Sequence, residues 1–335
     1  MHPYTEGFYK DHQEGSRRSA KEIIPLVLQL LQPKSVIDVG CGVGTWLSVF
    51  KAFGVEDICG VDGDHIERNT LEIPEEQFLS FDLKKPFRLD RHFDLVVSLE
   101  VAEHLPSECA ELFVDSLIGL GPVILFSAAI PFQGGTHHVN EQWPDYWATH
   151  FQEKGYVVVD CIRKKIWQND QVEWWYAQNM LIFAKRNYVE GHPFLEQEFE
   201  NTHTSQLSLV HPRKYLGALD WMQKLYLTVQ DLTALIPPGD TFILVDQGWF
   251  GSEVAAGRRT IPFLERDGHY WGPPADDITA IQELERLRQS GARFIVFGWP
   301  AFWWLDHYSE LHRHLSLSFR CILRNDRLVV FDLRR

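Results

Sequence analysis

A glycine-rich turn between a predicted strand and a predicted helix carries the most chemical information in this sequence. Residues 36–44 read Val-Ile-Asp-Val-Gly-Cys-Gly-Val-Gly, with Gly40, Gly42 and Gly44 in the turn. Glycines there let the backbone approach a ligand that a Cβ atom would exclude. The spacing is GxGxG, not the GxGxxG of a dinucleotide site, and no Gly-Lys-Ser/Thr of a phosphate loop follows. The carboxylate of Asp38 favours a cationic or amino-bearing ligand over a pyrophosphate.

Acidic residues also follow three later strands of the same region. Asp62 and Gly63 end the second predicted strand, and Asp82 and Leu83 follow the third. Glu100 follows the fourth. A carboxylate at a strand end can accept hydrogen bonds from both hydroxyl groups of a ribose, and one beside apolar side chains can hold an adenine amino group.

These residues stand where predicted strands meet predicted helices. Strand patterns run over 35–39, 58–61, 93–99 and 123–127, and helical patterns over 16–31, 45–53 and 107–118. Ser16 is predicted to cap the first helix. The alternation predicts an α/β fold with a Rossmann-like, doubly wound and mostly parallel sheet. Two strand-like runs, 156–166 and 175–185, predict an antiparallel terminal hairpin.

Four segments resemble motifs of the class I S-adenosylmethionine-dependent methyltransferases, and they occur along the chain in the same order as in that family. They are Asp38–Gly44, Asp62, Phe81–Leu83 and Asp94–Glu100, and the resemblance covers roughly residues 16–186. It implies S-adenosyl-L-methionine as the cofactor. Asp38 would lie near the amino group of the methionine part, Asp62 would hold the ribose, and Asp82 the adenine. The other residues expected at the donor are Gly40, Gly42 and Gly44 along the methionine part, and Gly63, Leu83 and Glu100.

The loop after the fifth strand, residues 131–147, is expected to cover the acceptor because it leaves the carboxyl edge of the sheet. Methylation of a hydroxyl requires removal of a proton, and histidine titrates near neutral pH. We predict His138 as the catalytic base, with His137 as second choice. Three aromatic side chains of the loop could stack on a sugar ring: Trp143, Tyr146 and Trp147.

A second polar cluster follows the fourth strand. Glu100, Glu103 and His104 form a Glu-x-x-Glu-His pattern similar to one in small-molecule O-methyltransferases. Glu103 and His104 could assist as a base, or the cluster could bind a hard divalent ion together with an acid such as Glu141. Helix capping and surface pairing are common fates of such charges, and we assign no metal site.

The C-terminal part contains a second strand–helix–strand pattern. We predict strands at 242–245 and 293–297, helices at 277–289 and 303–317, and a closing hairpin within 321–331. The expected domains are a methyltransferase domain over 1–187, a linker or lid with a helix over 188–236, and a small α/β accessory domain over 237–335. The segment Ala301–Tyr308 resembles companion domains of bacterial glycan and secondary-metabolite pathways.

Charge and composition restrict the partners. The chain carries 32 Lys and Arg against 46 Asp and Glu, so that its formal net charge is −14. Such a chain has no overall attraction for nucleic-acid phosphates or anionic lipids. The Pro-Pro-Tyr/Phe loop of amino-base methyltransferases and the Pro-Cys nucleophile of C5-cytosine enzymes are both missing. We therefore expect a small-molecule acceptor, no nucleic-acid or membrane partner, and a cytoplasmic bacterial protein that could form a homo-oligomer or contact a carrier through its C-terminal domain.

The expected function is methyl transfer to a hydroxyl of a sugar-containing or other polar small molecule, assisted by histidine. Two alternatives stay open. An N-methyltransferase acting on an amine or peptide would depend less on His138, because a deprotonated amine attacks without a base. A non-catalytic scaffold could keep the fold, although the intact glycine loop and Asp62 argue against it.

Overall fold

The computed structural model describes residues 6–334, with side chains from residue 13 onward except at 252 and 253. The described chain divides into two units, Glu6–Tyr215 and a second that begins at Leu216. Among residues 6–334, none of the helices combines the length and the hydropathy needed to cross a bilayer.

The first unit is built on a seven-stranded sheet with the order β3-β2-β1-β4-β5-β7-β6. Its strands are β1 (Ser35–Val39), β2 (Asp57–Asp62), β3 (Phe78–Ser80), β4 (Leu95–Leu99), β5 (Val123–Ser127), β6 (Tyr156–Val159) and β7 (Leu181–Lys185). Strands β1 to β5 pair in parallel, and β7 pairs antiparallel with both β5 and β6. The predicted doubly wound sheet and its antiparallel terminal hairpin are confirmed.

Helices cover both faces of this sheet, so its central strands are largely apolar. On β1, Val36 packs into the core on one face, and Ile37 and Val39 pack into the core on the other. Strands buried on both faces read as continuous apolar runs, which is why the sequence predicted them. The helices are α1 (Glu6–Leu31), α2 (Thr45–Ala52), α3 (Ala110–Ile118), α4 (Pro144–Glu153), α5 (Arg163–Ile166), α6 (Trp174–Asn179), α7 (Arg186–Glu190) and α8 (Pro193–Glu200).

Ser16 is not a helix cap. Helix α1 begins ten residues earlier, at Glu6, and the Ser16 hydroxyl lies 3.1 Å from the hydroxyl of Tyr176. Local capping chemistry indicated a start at Ser16, but a serine inside a helix can equally bond to a side chain from elsewhere in the fold.

Residues 174–179 form helix α6, where the sequence predicted the start of a strand. The run is aromatic and therefore has strand propensity, but Tyr176 packs edge-on against Trp46 at 5.1 Å and is buried. Tertiary packing overrides propensity in such short segments. Likewise, the stretch expected as a linker or lid contains α7 and α8, whose Val189 and Leu195 are buried in the core of the first unit.

The second unit contains a five-stranded sheet with the order β13-β14-β12-β8-β9. The long helix α9 (Pro212–Leu235) leads into it from the first unit. The remaining elements are β8 (Thr241–Val245), β9 (Arg259–Pro262), β10 (Glu265–Arg266), β11 (His269–Tyr270), α10 (Asp277–Gln289), β12 (Phe294–Gly298), α11 (Trp303–His307), α12 (Ser309–Ser318), β13 (Arg320–Arg324) and β14 (Leu328–Asp332).

Most elements of the second unit follow the sequence pattern. Asp276 caps α10 by accepting a hydrogen bond from the Thr279 amide at 2.7 Å, and β13 and β14 form the expected antiparallel hairpin. The single helix predicted over 303–317 is two helices, because the backbone of Tyr308 leaves the helical region at φ −95° and ψ 70°. The Tyr308 hydroxyl donates a hydrogen bond to the Pro274 carbonyl at 2.7 Å.

Candidate active site

The glycine loop has the backbone geometry that its sequence predicted. Gly40, Gly42 and Gly44 all have positive φ angles, of 86°, 56° and 86°. A Cβ atom on Gly40 would lie 2.3 Å from the Val101 side chain, so no larger residue fits. The turn is fixed to the sheet because the Gly40 amide donates to the Val61 carbonyl at 2.7 Å.

Asp62 connects this loop to the end of β2. Its carboxylate accepts hydrogen bonds from the Gly42 amide at 2.7 Å and from the Gly63 amide at 2.6 Å. A carboxylate has about four acceptor sites, so two remain for the hydroxyl groups of a ligand. Asp62 therefore both shapes the loop and can bind to what the loop surrounds.

Two cavities meet at Gly40. The larger, of about 780 Å³, extends along the ends of β2 and β3 and is lined by Asp62, Gly63, Asp82, Leu83 and Glu100 among others. The smaller, of about 500 Å³, extends past Asp38, Gly42, Trp46 and Tyr176. An elongated ligand with a nucleoside end and an amino-acid end matches this division.

Asp82 stands at the outer wall of the larger cavity, with its side chain about half exposed. Its carboxylate accepts a hydrogen bond from the Lys84 amide at 3.1 Å, and Lys85 lies 3.5 Å away. These contacts lower the pKa of Asp82, the Lys84 amide most strongly. The group is therefore ionised at neutral pH and can accept a hydrogen bond from an adenine amino group.

Burial makes Asp38 a poor anion in the free protein. The side chain is buried, and desolvation together with the nearby charge of Asp62 raises the pKa of Asp38 to about 8. A cationic amino group placed beside it would favour the ionised form. The position thus suits the ammonium group of an amino acid, and the role of Asp38 at the donor stays a prediction.

This shift predicts pH-dependent donor binding. Because the ionised form of Asp38 binds the ammonium group, the donor affinity should rise from about pH 6 to about pH 8, with release of a proton on binding. Calorimetry in buffers of different ionisation enthalpy measures both quantities. Asp38→Asn should bind more weakly and lose this dependence. An equal pH profile in the wild-type and Asp38→Asn proteins would contradict the assignment.

Glu100 lies at the centre of a buried amide network that the sequence did not reveal. Its carboxylate accepts hydrogen bonds from Asn179 at 3.0 Å and from Gln133 at 2.7 Å, and Gln178 bonds to both amides. Burial raises the pKa of Glu100, against the effect of these donors. Gln133 belongs to the acceptor loop and Asn179 to the end of α6. Isolated amides outside any motif give no signal by which a sequence could single them out.

The sequence grouped Glu103 with His104 after β4, and the structure brings His138 to this pair. One nitrogen or oxygen atom of each lies within 4.8 Å of the others. Glu103 is fully buried, and its carboxylate is not bonded to any other side chain among the described residues. Burial, and then the charge of Glu100, raises the pKa of Glu103 well above its usual value. Burial also lowers the pKa of His104, and the neighbouring His138 lowers it further.

The acceptor loop orients His138 towards this cluster. The His138 Nδ1 atom lies 2.9 Å from an oxygen of Glu141, which also accepts a hydrogen bond from the Gly134 amide at 2.9 Å. A Cβ atom on Gly135 would lie 2.2 Å from His138 Nε2, so the ring needs a glycine there. His137, the second predicted base, is exposed and has a φ angle of 60°.

The aromatic residues of the loop differ in their availability. Trp143 is 40% exposed, but Trp147 is buried and packs against Phe126 at a ring distance of 5.4 Å. Tyr146 packs edge-on against Trp147 at 5.0 Å. The prediction that Trp147 stacks on a sugar is therefore wrong: it faces inward on helix α4, where its indole completes the core.

Residues 11–114 match a family model described as a methyltransferase domain. The chain contains a methyltransferase domain. This match confirms the sequence prediction of S-adenosyl-L-methionine as the cofactor. A comparison with curated proteins gave no match.

Several solved structures resemble the chain in part. Magnesium protoporphyrin IX methyltransferase from Synechocystis PCC 6803 is 16% identical with a TM-score of 0.39, and the match covers 55% of this chain and 86% of that protein. DesVI from Streptomyces venezuelae is 16% identical with a TM-score of 0.41, covering 53% and 95%. The methyltransferase domain of a bacterial CtHen1 is 20% identical with a TM-score of 0.35, covering 50% and 98%.

Proposed function

We propose that this protein is an S-adenosylmethionine-dependent O-methyltransferase that acts on a hydroxyl group of a sugar-containing or other polar small molecule. The observation that carries the proposal is the Glu141–His138 pair, whose His138 ring lies 4.8 Å from the ring of His104 in the wall of the larger cavity. A histidine held by a carboxylate next to a methyl donor is what alkylation of a hydroxyl needs, and an amine acceptor needs it less.

The hydrogen bond to Glu141 determines how His138 works. If His138 Nδ1–H donates to the Glu141 carboxylate, the Nε2 atom is unprotonated and can accept the proton of a hydroxyl. The carboxylate then stabilises the imidazolium that forms. The hydroxyl oxygen attacks the methyl carbon in line with the departing sulfur, and the donor leaves as S-adenosylhomocysteine. The protein contributes alignment of the two substrates and removal of the proton.

Glu103 takes no part as an anion in this proposal. Burial, and then the charge of Glu100, raises the pKa of Glu103 well above its usual value, which favours the neutral form of the side chain. A divalent cation bound by Glu103, His104 and His138 would instead compensate the negative charge of a buried Glu103 carboxylate. The three side chains offer the oxygen and nitrogen ligands that such a cation needs. His138 would then be a metal ligand and could not accept the proton. The two arrangements differ in their response to chelation.

The experiment is methyl transfer from labelled S-adenosylmethionine to a panel of glycosides, polyols, phenols and amines, with and without EDTA. We expect labelled ether products from glycoside or polyol hydroxyls, with turnover changed less than about twofold by EDTA, since a neutral side-chain base needs no metal. Transfer to amines alone would favour the N-methyltransferase alternative. If EDTA lowered turnover strongly and Mg²⁺ or Mn²⁺ restored it, the cluster would be a metal site and His138 would not be the base. Donor binding without transfer to any acceptor would favour a scaffold.

A further inference from the structure

The acceptor loop has an unusual backbone conformation a few residues before its histidines. Phe132 has a φ angle of 64° although it is not a glycine, and its side chain is 90% exposed. Few non-glycine residues adopt such an angle, and the conformation persists only where the surrounding structure holds it. Because the Phe132 side chain faces solvent, the support has to come from its neighbours.

Gln133, the next residue, is held through both its side chain and its main chain. The side-chain oxygen accepts hydrogen bonds from the Ile130 amide at 3.2 Å and from Asn179 at 2.9 Å, and the side-chain nitrogen donates to Glu100 at 2.7 Å. The main-chain carbonyl accepts a hydrogen bond from the Lys214 ammonium group at 2.9 Å. This last bond connects the loop to a segment 81 residues further along the chain.

The segment that carries Lys214 is itself anchored in the first unit. Lys214 lies in the first turn of α9. Just before it, the His211 amide donates to Gln178 Oε1 at 2.8 Å, and the His211 side chain is buried. A guanidinium nitrogen of Arg213 donates to the Val172 carbonyl at 2.8 Å. The start of α9 therefore provides a fixed point from which the Lys214 side chain reaches the loop.

The Lys214 ammonium group is not a freely solvated surface charge. The residue is partly buried, and the ammonium nitrogen lies 5.8 Å from the centre of the Trp174 ring. Burial lowers the pKa of Lys214, and the charge of Glu141 acts in the opposite direction. Holding a long, flexible side chain in one place costs conformational entropy, which fixed partners have to offset. Its partners here are the acceptor loop and the indole.

One peptide unit links Lys214 to the predicted base. The Gln133 carbonyl and the Gly134 amide belong to the same planar group, so neither can turn without the other. Lys214 donates to the carbonyl end, and the Gly134 amide donates to the Glu141 carboxylate, which also bonds to the His138 ring. A rotation of this peptide unit would therefore disturb the carboxylate that orients His138.

We propose that Lys214 is a positioning residue for the acceptor side of the site: by holding the peptide unit between Gln133 and Gly134, it keeps Glu141 and His138 in their working orientation. The inference rests on the proposed function of His138 as the base. It also means that the site extends beyond residues 1–187, the methyltransferase domain that the sequence predicted.

The kinetic test uses the full-length chain, saturating S-adenosylmethionine and the best acceptor of the panel. Lys214→Met removes the ammonium group and keeps a long side chain. We expect kcat to fall about tenfold, because a misplaced catalytic group reacts slowly, while the acceptor KM and the donor dissociation constant change by less than about twofold. Lys214→Arg keeps a cationic donor and should recover most of the lost turnover.

A double-mutant cycle shows whether Lys214 acts through the histidine. In the His138→Ala protein, Lys214→Met should have almost no further effect on kcat, because the ring that it positions is already gone. A general loss of structure would instead lower turnover equally in both backgrounds. The matched control is Lys224→Met, which removes a lysine of the same helix that pairs with Asp220 at 3.0 Å. It should leave kcat unchanged.

Hydrogen–deuterium exchange tests the contact without any acceptor. Peptides over residues 129–142 should exchange faster in Lys214→Met than in the wild-type protein, since loss of the bond lets this segment open more often. Peptides over residues 36–44, which contain the glycine loop, should exchange at the wild-type rate. Lys224→Met should change neither segment, and the melting temperature of each variant shows that it is folded.

The two measurements separate this inference from the proposed function. If the wild-type protein methylates no hydroxyl but Lys214→Met loosens residues 129–142, the role of His138 fails and the positioning of the loop by Lys214 stands. Unchanged exchange in Lys214→Met would overturn the inference, as would equal losses of kcat in the wild-type and His138→Ala backgrounds. A raised acceptor KM at constant kcat would also overturn it, because Lys214 would then bind the acceptor itself.

Discussion

His138→Ala should lower turnover by about 10²–10⁴-fold while leaving the affinity for S-adenosylmethionine nearly unchanged. The expected fall in turnover is that of an enzyme that loses its general base. The base is needed because an aliphatic hydroxyl has a pKa far above neutrality and does not lose its proton unaided. The affinity should not change, because Asp62 and the glycine loop are untouched. Steady-state kinetics with the best acceptor and calorimetry with the donor measure the two effects. Glu141→Gln should give a smaller loss of turnover, since it weakens the orientation of the ring but keeps a hydrogen-bonding side chain.

His137→Ala is the matched control, since it removes the neighbouring histidine from an exposed position in the same loop. It should keep turnover within a few-fold of the wild-type rate. If both substitutions left turnover near normal, the base would lie elsewhere, with Glu103 and His104 next to be tested. If both abolished turnover equally, the loop and not the His138 ring would be responsible.

Asp62→Ala should weaken S-adenosylmethionine binding by roughly 1.5–3 kcal/mol, a factor of about 10–150 in the dissociation constant. The substitution removes the acceptor for ribose hydroxyl groups, and it leaves the Gly42 and Gly63 amides without their carboxylate partner. Asp62→Asn keeps one carbonyl oxygen and should have an intermediate effect. Calorimetry with S-adenosylmethionine and with S-adenosylhomocysteine provides the measurement.

Asp64→Ala is the control for Asp62, because it removes an exposed carboxylate two residues further along the same loop. It should leave the donor affinity unchanged. A wild-type protein that binds NAD and not S-adenosylmethionine would contradict the donor assignment altogether. Equal losses in Asp62→Ala and Asp64→Ala would mean that net charge, and not the hydrogen bonds of Asp62, controls donor affinity.

The sheet of the first unit was predictable because its strands are short, apolar and punctuated by glycine. β1, α2 and β5 follow their predicted spans closely, since a strand buried on both faces needs a continuous apolar run. The shape of the glycine loop was predictable for a related reason. Gly40, Gly42 and Gly44 adopt positive φ angles that other residues adopt at a cost, so the sequence itself records the shape of the loop.

The structure alone decided which residues of the acceptor side can reach a ligand. Trp143 and Trp147 are both tryptophans of one segment, yet the turn of helix α4 buries Trp147 and leaves Trp143 exposed. Trp174–Asn179 has the composition of a strand, but contacts with α1 and α2 make it a helix and bring Asn179 to Glu100. Such choices depend on neighbours that are distant in the chain, and local propensity does not contain them.

The sequence by itself determined the α/β class and the glycine loop with its acids. Each of these follows from local backbone requirements or from strand ends that a parallel sheet brings to one edge. Only the tertiary structure decided that Glu103 is buried without a side-chain hydrogen-bonding partner among the described residues, that His138 lies beside Glu103 and His104, and that Glu141 orients His138. Burial and orientation are properties of the packed chain, because they depend on which distant side chains exclude water from a group.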